Sequence, residues 1–227
     1  MTIAHRKRLS LAYRGVLLLL LLLLAGMLAY AVLSLPVQAV GLSDRVMASM
    51  ATSGVRNPVT AVLLDFRGYD TLLEMAVLLV ALLGVWSLGT AVAHRKVDPE
   101  PVLSTLAGGL VPIMLLMAGY LLWAGTNAPG GAFQAGAVLA AAGILLLLSG
   151  KHFPVRLTGW PLRIVLVLGL VAFIAVGVTL LFASGMFLQY PPGLVAGLML
   201  LIEAAATLSI GATLAALFLG GRPDPDA

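Results

Sequence analysis

The sequence has 227 residues, 61% of them hydrophobic and 10% charged, with a mean hydropathy of +1.10 and a formal net charge of +4. A soluble domain carries about 25% charged residues, so this chain has too little polar surface to face water on all sides, and the bilayer is its main solvent. It has no cysteine, which excludes a disulfide framework, thiolate metal sites and cysteine nucleophiles.

A spanning helix needs about 20 mostly apolar residues, and six runs approach or exceed this. They lie at about 12–35, 71–93, 102–124, 131–149, 163–184 and 194–219. The first follows His5-Arg6-Lys7-Arg8 and precedes Val37-Gln38-Ala39, which together imitate a signal peptide. A signal h-region is only about 7–15 residues long, so an uncleaved first helix is the expectation. The segment 36–70 exceeds an ordinary helix–helix connection. Within it, Asn57 to Leu64 is apolar but too short to span, which predicts an interfacial or re-entrant stretch. His94 to Pro101, HRKVDPEP, is the most charged interior loop, and its two prolines end any helix there. It is the expected seam between a two-helix segment, 1–95, and a four-helix domain, 96–227. The tail GGRPDPDA reads as a disordered end.

Counting Lys and Arg with the N-terminus inside places Arg6, Lys7, Arg8, Arg14, Arg95, Lys96, Lys151, Arg156, Arg163 and Arg222 on the inner face. Only Arg45, Arg56 and Arg67 fall outside. This bias predicts an all-α integral membrane protein of about six transmembrane helices with both termini cytoplasmic. It also accounts for the pI of 9.8 without nucleic acid. His5, His94 and His152 lie beside Lys or Arg outside the apolar runs, and read as solvated or headgroup-facing residues rather than ligands.

The soluble-enzyme motifs are missing: no HExxH, GxSxG, P-loop or GxGxxG after a strand. What remains is a few charged groups at membrane depth, each costing on the order of 2.5–3.5 kcal/mol at a helix centre. Glu203 is the deepest, about ten residues into the last helix and so roughly 15 Å along it. Thr207 lies one turn on, and Gly193 and Gly197 form a GxxxG that suggests close helix approach. Two readings of Glu203 stay open. It is a protonatable or cation-attracting carboxylate facing a wet cavity or partner, or a neutral carboxyl serving as packing glue. The second cluster is Asp65, Arg67, Asp70 and Glu74 in LLDFRGYDTLLEMAV. Asp70 reads as an N-cap with Thr71 opening the helix, Arg67 as charge balance, and Glu74, set among apolar neighbours, as an ion-path candidate. The turn GTNAPGGAFQAG, 125–136, has no titratable group and faces outward in this topology. Pro129 stops a helix, Gly130 and Gly131 give backbone freedom, and Gly136 permits close packing.

Gly125, Asn127, Pro129, Gly130, Gly131, Phe133 and Gly136 carry a resemblance to the GHxxPGGGFxxG signature of the MrpB (MnhB) family, the B-type component of multisubunit Mrp-type cation/proton antiporters. The same domain occurs in membrane-bound hydrogenases. Separately, NPVTAVLLDFRGYDTLLE resembles the DFRxxDTLGE segment near the end of the large MrpA component, and its small hydrogenase counterpart. The first likeness covers about 102–219 and the second about 12–95. Thr126 stands where the family commonly has His, Ala132 replaces a Gly, and Leu73 replaces the Gly of DTLGE. The resemblance implies a Na+/H+ antiporter subunit in the cell membrane, partnered by large antiporter-like and small membrane subunits. It further implies Glu74 on or beside the ion route, Glu203 as the acidic residue of the last helix, a helix hairpin at a subunit contact for the turn, and neither cofactor nor metal. The alternative it allows is the membrane arm of a redox-driven complex.

Overall fold

The computed structural model describes residues 11–35, 41–89, 101–150 and 159–220. The three histidines, Val37 to Ala39, most of the basic clusters, the charged seam up to Glu100 and the tail after Gly220 lie outside the described residues. The described chain is helical: α1 Leu11–Leu33, α2 Ser43–Ser53, α3 Pro58–Ala61, a π-helical turn Val62–Phe66, α4 Gly68–Ser87, α5 Pro101–Ala124, α6 Ala132–Leu148, α7 Trp160–Ser184 and α8 Val195–Phe218. Five of these, α1, α4, α5, α7 and α8, are long and apolar enough to cross a membrane. The sixth expected span, α6, has 17 residues, at the lower limit for crossing about 30 Å of hydrocarbon. The chain is an all-α, multi-pass membrane protein.

The chain divides into two units, 1–44 and 45–227. In the first, α1 is a 23-residue helix with leucine at every position from Leu17 to Leu24. In the second, α8 is the axis, packed on α6 and α7 and more lightly on α4 and α5. It contributes twelve buried residues, among them Glu203, Thr207, Ser209 and Thr213. The core joins Met75, Phe173, Met199, Ile202 and Ile210.

Small residues set the helix spacing. A Cβ at Gly136 on α6 would lie 2.9 Å from the Ile210 side chain, and one at Gly169 on α7 would lie 2.9 Å from the Ala206 backbone. Gly136 thus packs closely, as its place in the turn suggests. The GxxxG of Gly193 and Gly197 does not, because a Cβ added at either would meet no atom within 4 Å; both are exposed.

The α7–α8 connection straps α4 to the bundle. Phe187 occupies the space left by Gly177, where a Cβ would come within 2.2 Å of the ring. The same ring stacks on Tyr69 at 5.0 Å. Leu188 is buried with φ +59, a backbone region unfavourable for a branched residue, and its side chain needs the missing Cβ of Gly68. Tyr190 donates its hydroxyl to the Leu64 carbonyl at 3.0 Å.

Candidate functional site

The two motifs of the sequence meet. Breaking the chain between α5 and α6 leaves the carbonyls of 125–128 without helical partners, and such groups must be satisfied by protein or water. The segment 56–60 satisfies three of them, those of Gly125, Thr126 and Ala128. The N–H groups of Arg56 and Asn57 both donate to the Thr126 carbonyl at 3.1 Å. Asn57 Nδ2 reaches the carbonyls of Gly125 and Ala128, each at 2.9 Å, and the Thr60 hydroxyl donates to Gly125. Asn57 also caps α3, its Oδ1 accepting from the Val59 N–H at 3.1 Å. Asn-Pro is a legible helix start, a cap followed by proline at N1, but its reach to the distant turn is a tertiary fact.

Beneath this clasp lies Glu203. The turn's glycines make room for its carboxylate: a Cβ at Gly131 would stand 2.7 Å from Oε1, and one at Gly125 would stand 3.2 Å from it. Gly131 also has φ +102, where a side chain is strained. The N–H of Ala132, first residue of α6, lies towards the carboxylate, so the positive end of the α6 dipole is aimed at it. Glu203 is 5% exposed, and its Oε2 is buried with no hydrogen-bond partner.

A cavity of about 30 Å³ opens beside it, lined by α3, the π turn, α4, the 130–134 segment and α8. Its polar lining is Thr60, Thr71, Gln134 and Glu203. The Thr71 hydroxyl donates to the Leu63 carbonyl at 2.7 Å, tying α4 to the π turn. Asn57, Thr60, Thr71 and Gln134 had no signal of their own in the sequence beyond lying near motifs.

The remaining candidates separate. Thr207 is buried, but its hydroxyl is spent on the Glu203 backbone carbonyl at 2.7 Å. Asp70 is not the cap of α4: the helix begins at Gly68 with Arg67 as N-cap, and Asp70, in the first turn, pairs its carboxylate with Arg67 on the surface. Asp65 lies in the π turn, half-buried, and burial raises its carboxyl above the usual 3.8. The Tyr190 phenol is also raised, by burial first and then by the Asp65 charge. Glu74 is exposed on α4, between the buried Thr71 and Met75 in sequence, and does not line the cavity. Of the turn residues, Asn127 and Pro129 are exposed while Phe133 packs on the core. Gly125, Gly131 and Gly136 of the turn are therefore buried in the chain's own interior, while Asn127 and Pro129 stay on its surface. Among the described residues no three His, Cys, Asp or Glu side chains gather as a metal would require.

Comparison with known proteins matches both segments. Residues 102–221 match the family described as a domain related to the MnhB subunit of Na+/H+ antiporter, and residues 14–96 match the MbhE family of MBH. An uncharacterized protein of Methanocaldococcus jannaschii is 30% identical over 59% of this chain and 60% of its own. A probable K+/H+ antiporter component of Rhizobium meliloti, of the combined A/B type, is 29% identical over 73% of this chain and 19% of its own. The chain thus spans less than two thirds of either relative. Two solved structures share the fold at a TM-score of 0.65. One is the Mrp complex from Dietzia sp., 22% identical over 97% of this chain and 27% of that one. The other is the membrane-bound sulfane sulfur reductase, an archaeal respiratory membrane complex, 23% identical over 90% of this chain and 96% of that one.

Proposed function

Because the chain belongs to the family of domains related to the MnhB subunit of Na+/H+ antiporters, we propose that it is a membrane subunit of a multisubunit cation/proton antiporter of the Na+/H+ type. It sits in the cell membrane with both termini cytoplasmic, and its segments 1–95 and 96–227 correspond to the end of MrpA and to MrpB. Its partners are large antiporter-like subunits and small membrane subunits. The role is transport, with no catalytic step of its own.

The observation that carries this reading is Glu74. It lies six residues into α4, about 9 Å along the helix, exposed beside Leu73 and Val77, which are 60% and 65% exposed. Among the described residues it has no hydrogen bond or ion pair. A carboxylate left against lipid at that depth costs on the order of 2.5 kcal/mol, so this face is covered by a neighbour that supplies a cation or donors. The cost supports a position for Glu74 where an ion passes between subunits, with Asp65, Arg67 and Asp70 at the mouth of the same helix. In the assembled complex, Glu74→Gln is expected to lower cation-dependent proton movement about tenfold, ~1.4 kcal/mol, with all subunits retained. Normal transport by the assembled variant would remove Glu74 from the route.

The second reading, a membrane-arm subunit of a redox-driven complex, is favoured by one observation: the sulfane sulfur reductase chain is matched over 96% of its length. Pull-down from the native membrane separates the two, since soluble redox subunits in constant ratio support the second and their absence the first.

A further inference from the structure

We propose that Glu203 is a proton-exchanging carboxyl served by internal water in the cavity it shares with Thr60 and Thr71, and that the site takes no metal cation. This deepens the antiporter reading, and rests on it only for what the proton is used for.

The lining is short of hydrogens. The Thr60 hydroxyl proton is committed to the Gly125 carbonyl and that of Thr71 to the Leu63 carbonyl. The Thr60 oxygen also accepts from Asn57 Nδ2 at 3.1 Å and keeps one lone pair, while the Thr71 oxygen and the unpartnered Oε2 accept from no donor among the described residues. Acceptors facing a common space call for a species that brings O–H bonds. A proton on Oε2 supplies one, and a water supplies two. The volume of about 30 Å³ exceeds the roughly 10–15 Å³ that a water needs, and about three polar partners are what a buried water ordinarily finds. Gln134 is exposed and also lines the cavity, so its amide is the wet side of the site and the point where water enters.

One feature disfavours a cation: the α6 N-terminus, which opens at Ala132, already presents positive charge to the carboxylate. No second titratable group competes for the proton. Of the fourteen lining residues Glu203 alone ionises, and Asp65, Arg67, Asp70 and Glu74 on the elements packed against it, with Arg163 on α7, all lie outside the lining. The exchange is a simple proton transfer. The O–H bond on Oε2 breaks as one forms on the water, the electron pair stays on the carboxylate, and the α6 N-terminus stabilises the anion until a proton returns.

The test is infrared difference spectroscopy on the complex purified from its native membrane, wild type against Glu203→Gln. The expected result is a protonated-carboxyl C=O band, absent from the Gln variant, that is lost as pH rises, shifts in D2O, and is unmoved by Na+ or K+ at fixed pH. A band that persists at all pH values, or none at any, overturns the proposal in favour of a packing carboxyl. Loss of the band on adding Na+ or K+ at constant pH overturns it in favour of a cation site. Should the Gln variant not assemble, Thr71→Val leaves the carboxyl in place and removes one acceptor. The band then shifts if Thr71 shares the water, and an unshifted band overturns the proposal. None of these readouts depends on Glu74, so failure here and failure of the antiporter reading are separate results.

Discussion

Glu203 and Glu74 are both carboxyl groups on apolar helices, and the chain treats them in opposite ways. Around Glu203 it builds an enclosure: two glycines make room, a helix start turns an N–H towards it, and a second segment clasps the turn from above. Around Glu74 it builds nothing, leaving the side chain on an outward apolar face. The difference separates what one polypeptide completes alone from what only an assembly completes. Substitutions at the first region should be felt by the isolated chain, and substitutions at the second by the complex.

The strongest way to break the enclosure is Gly131→Val. Its Cβ would meet Oε1 at 2.7 Å, on a backbone with φ +102, and strain and overpacking together should cost about 3 kcal/mol or more. Thermal unfolding of the detergent-solubilised chain is the measurement. Asn57→Ala comes next. It removes the α3 cap and leaves the carbonyls of Gly125 and Ala128 short of a donor, a loss of about 2 kcal/mol by the same assay. Glu74→Gln should leave that unfolding transition within about 0.5 kcal/mol while lowering transport. A large shift in the isolated chain would erase the contrast between the two regions.

The smallest effect concerns Asp65. Burial holds its carboxyl above the ordinary 3.8, so the fold favours the neutral form. That contribution is complete below about pH 3.9 and is lost as pH rises through the raised value. Asp65→Asn, neutral throughout, should match wild type in acid and become the more stable of the two towards neutral pH. Equal stability at both ends would mean that Asp65 keeps its charge at no cost.

The membrane helices were legible because apolar length is a one-dimensional property: five of the six predicted runs are helices within three positions of their expected ends, and the run 71–93 is a helix that ends earlier, at Ser87. α6 is the exception in length, with 17 residues. What the sequence did not disclose were partnerships between backbone groups. The carbonyls of Gly125, Thr126 and Ala128 carry no side-chain label, and nothing local says that Asn57 and Thr60 will claim them. The glycines of the turn were readable as permissive, yet the reason for Gly131, and in part for Gly125, is Glu203, a glutamate far along the chain on another helix. Within the chain, close approach is made not at the GxxxG of 193 and 197 but at Gly136 and Gly169, one on each helix flanking α8. Asp70 followed by Thr71 imitated a cap, but the π turn ending at Phe66 lets the helix start at Gly68, and the carboxylate falls in the first turn.

The strap between α7 and α8 bears on how such a chain could come to exist. Phe187, Leu188 and Tyr190 plug into notches at Gly177 and Gly68 and onto the Leu64 carbonyl, while Asn57 grips the turn on another side. Those attachments are made by surfaces, and none needs the peptide link between α4 and α5. Two separately translated polypeptides carrying the same notches and plugs would find each other in the bilayer. Joining them in one reading frame would then fix their ratio at one to one without asking either to learn a new contact.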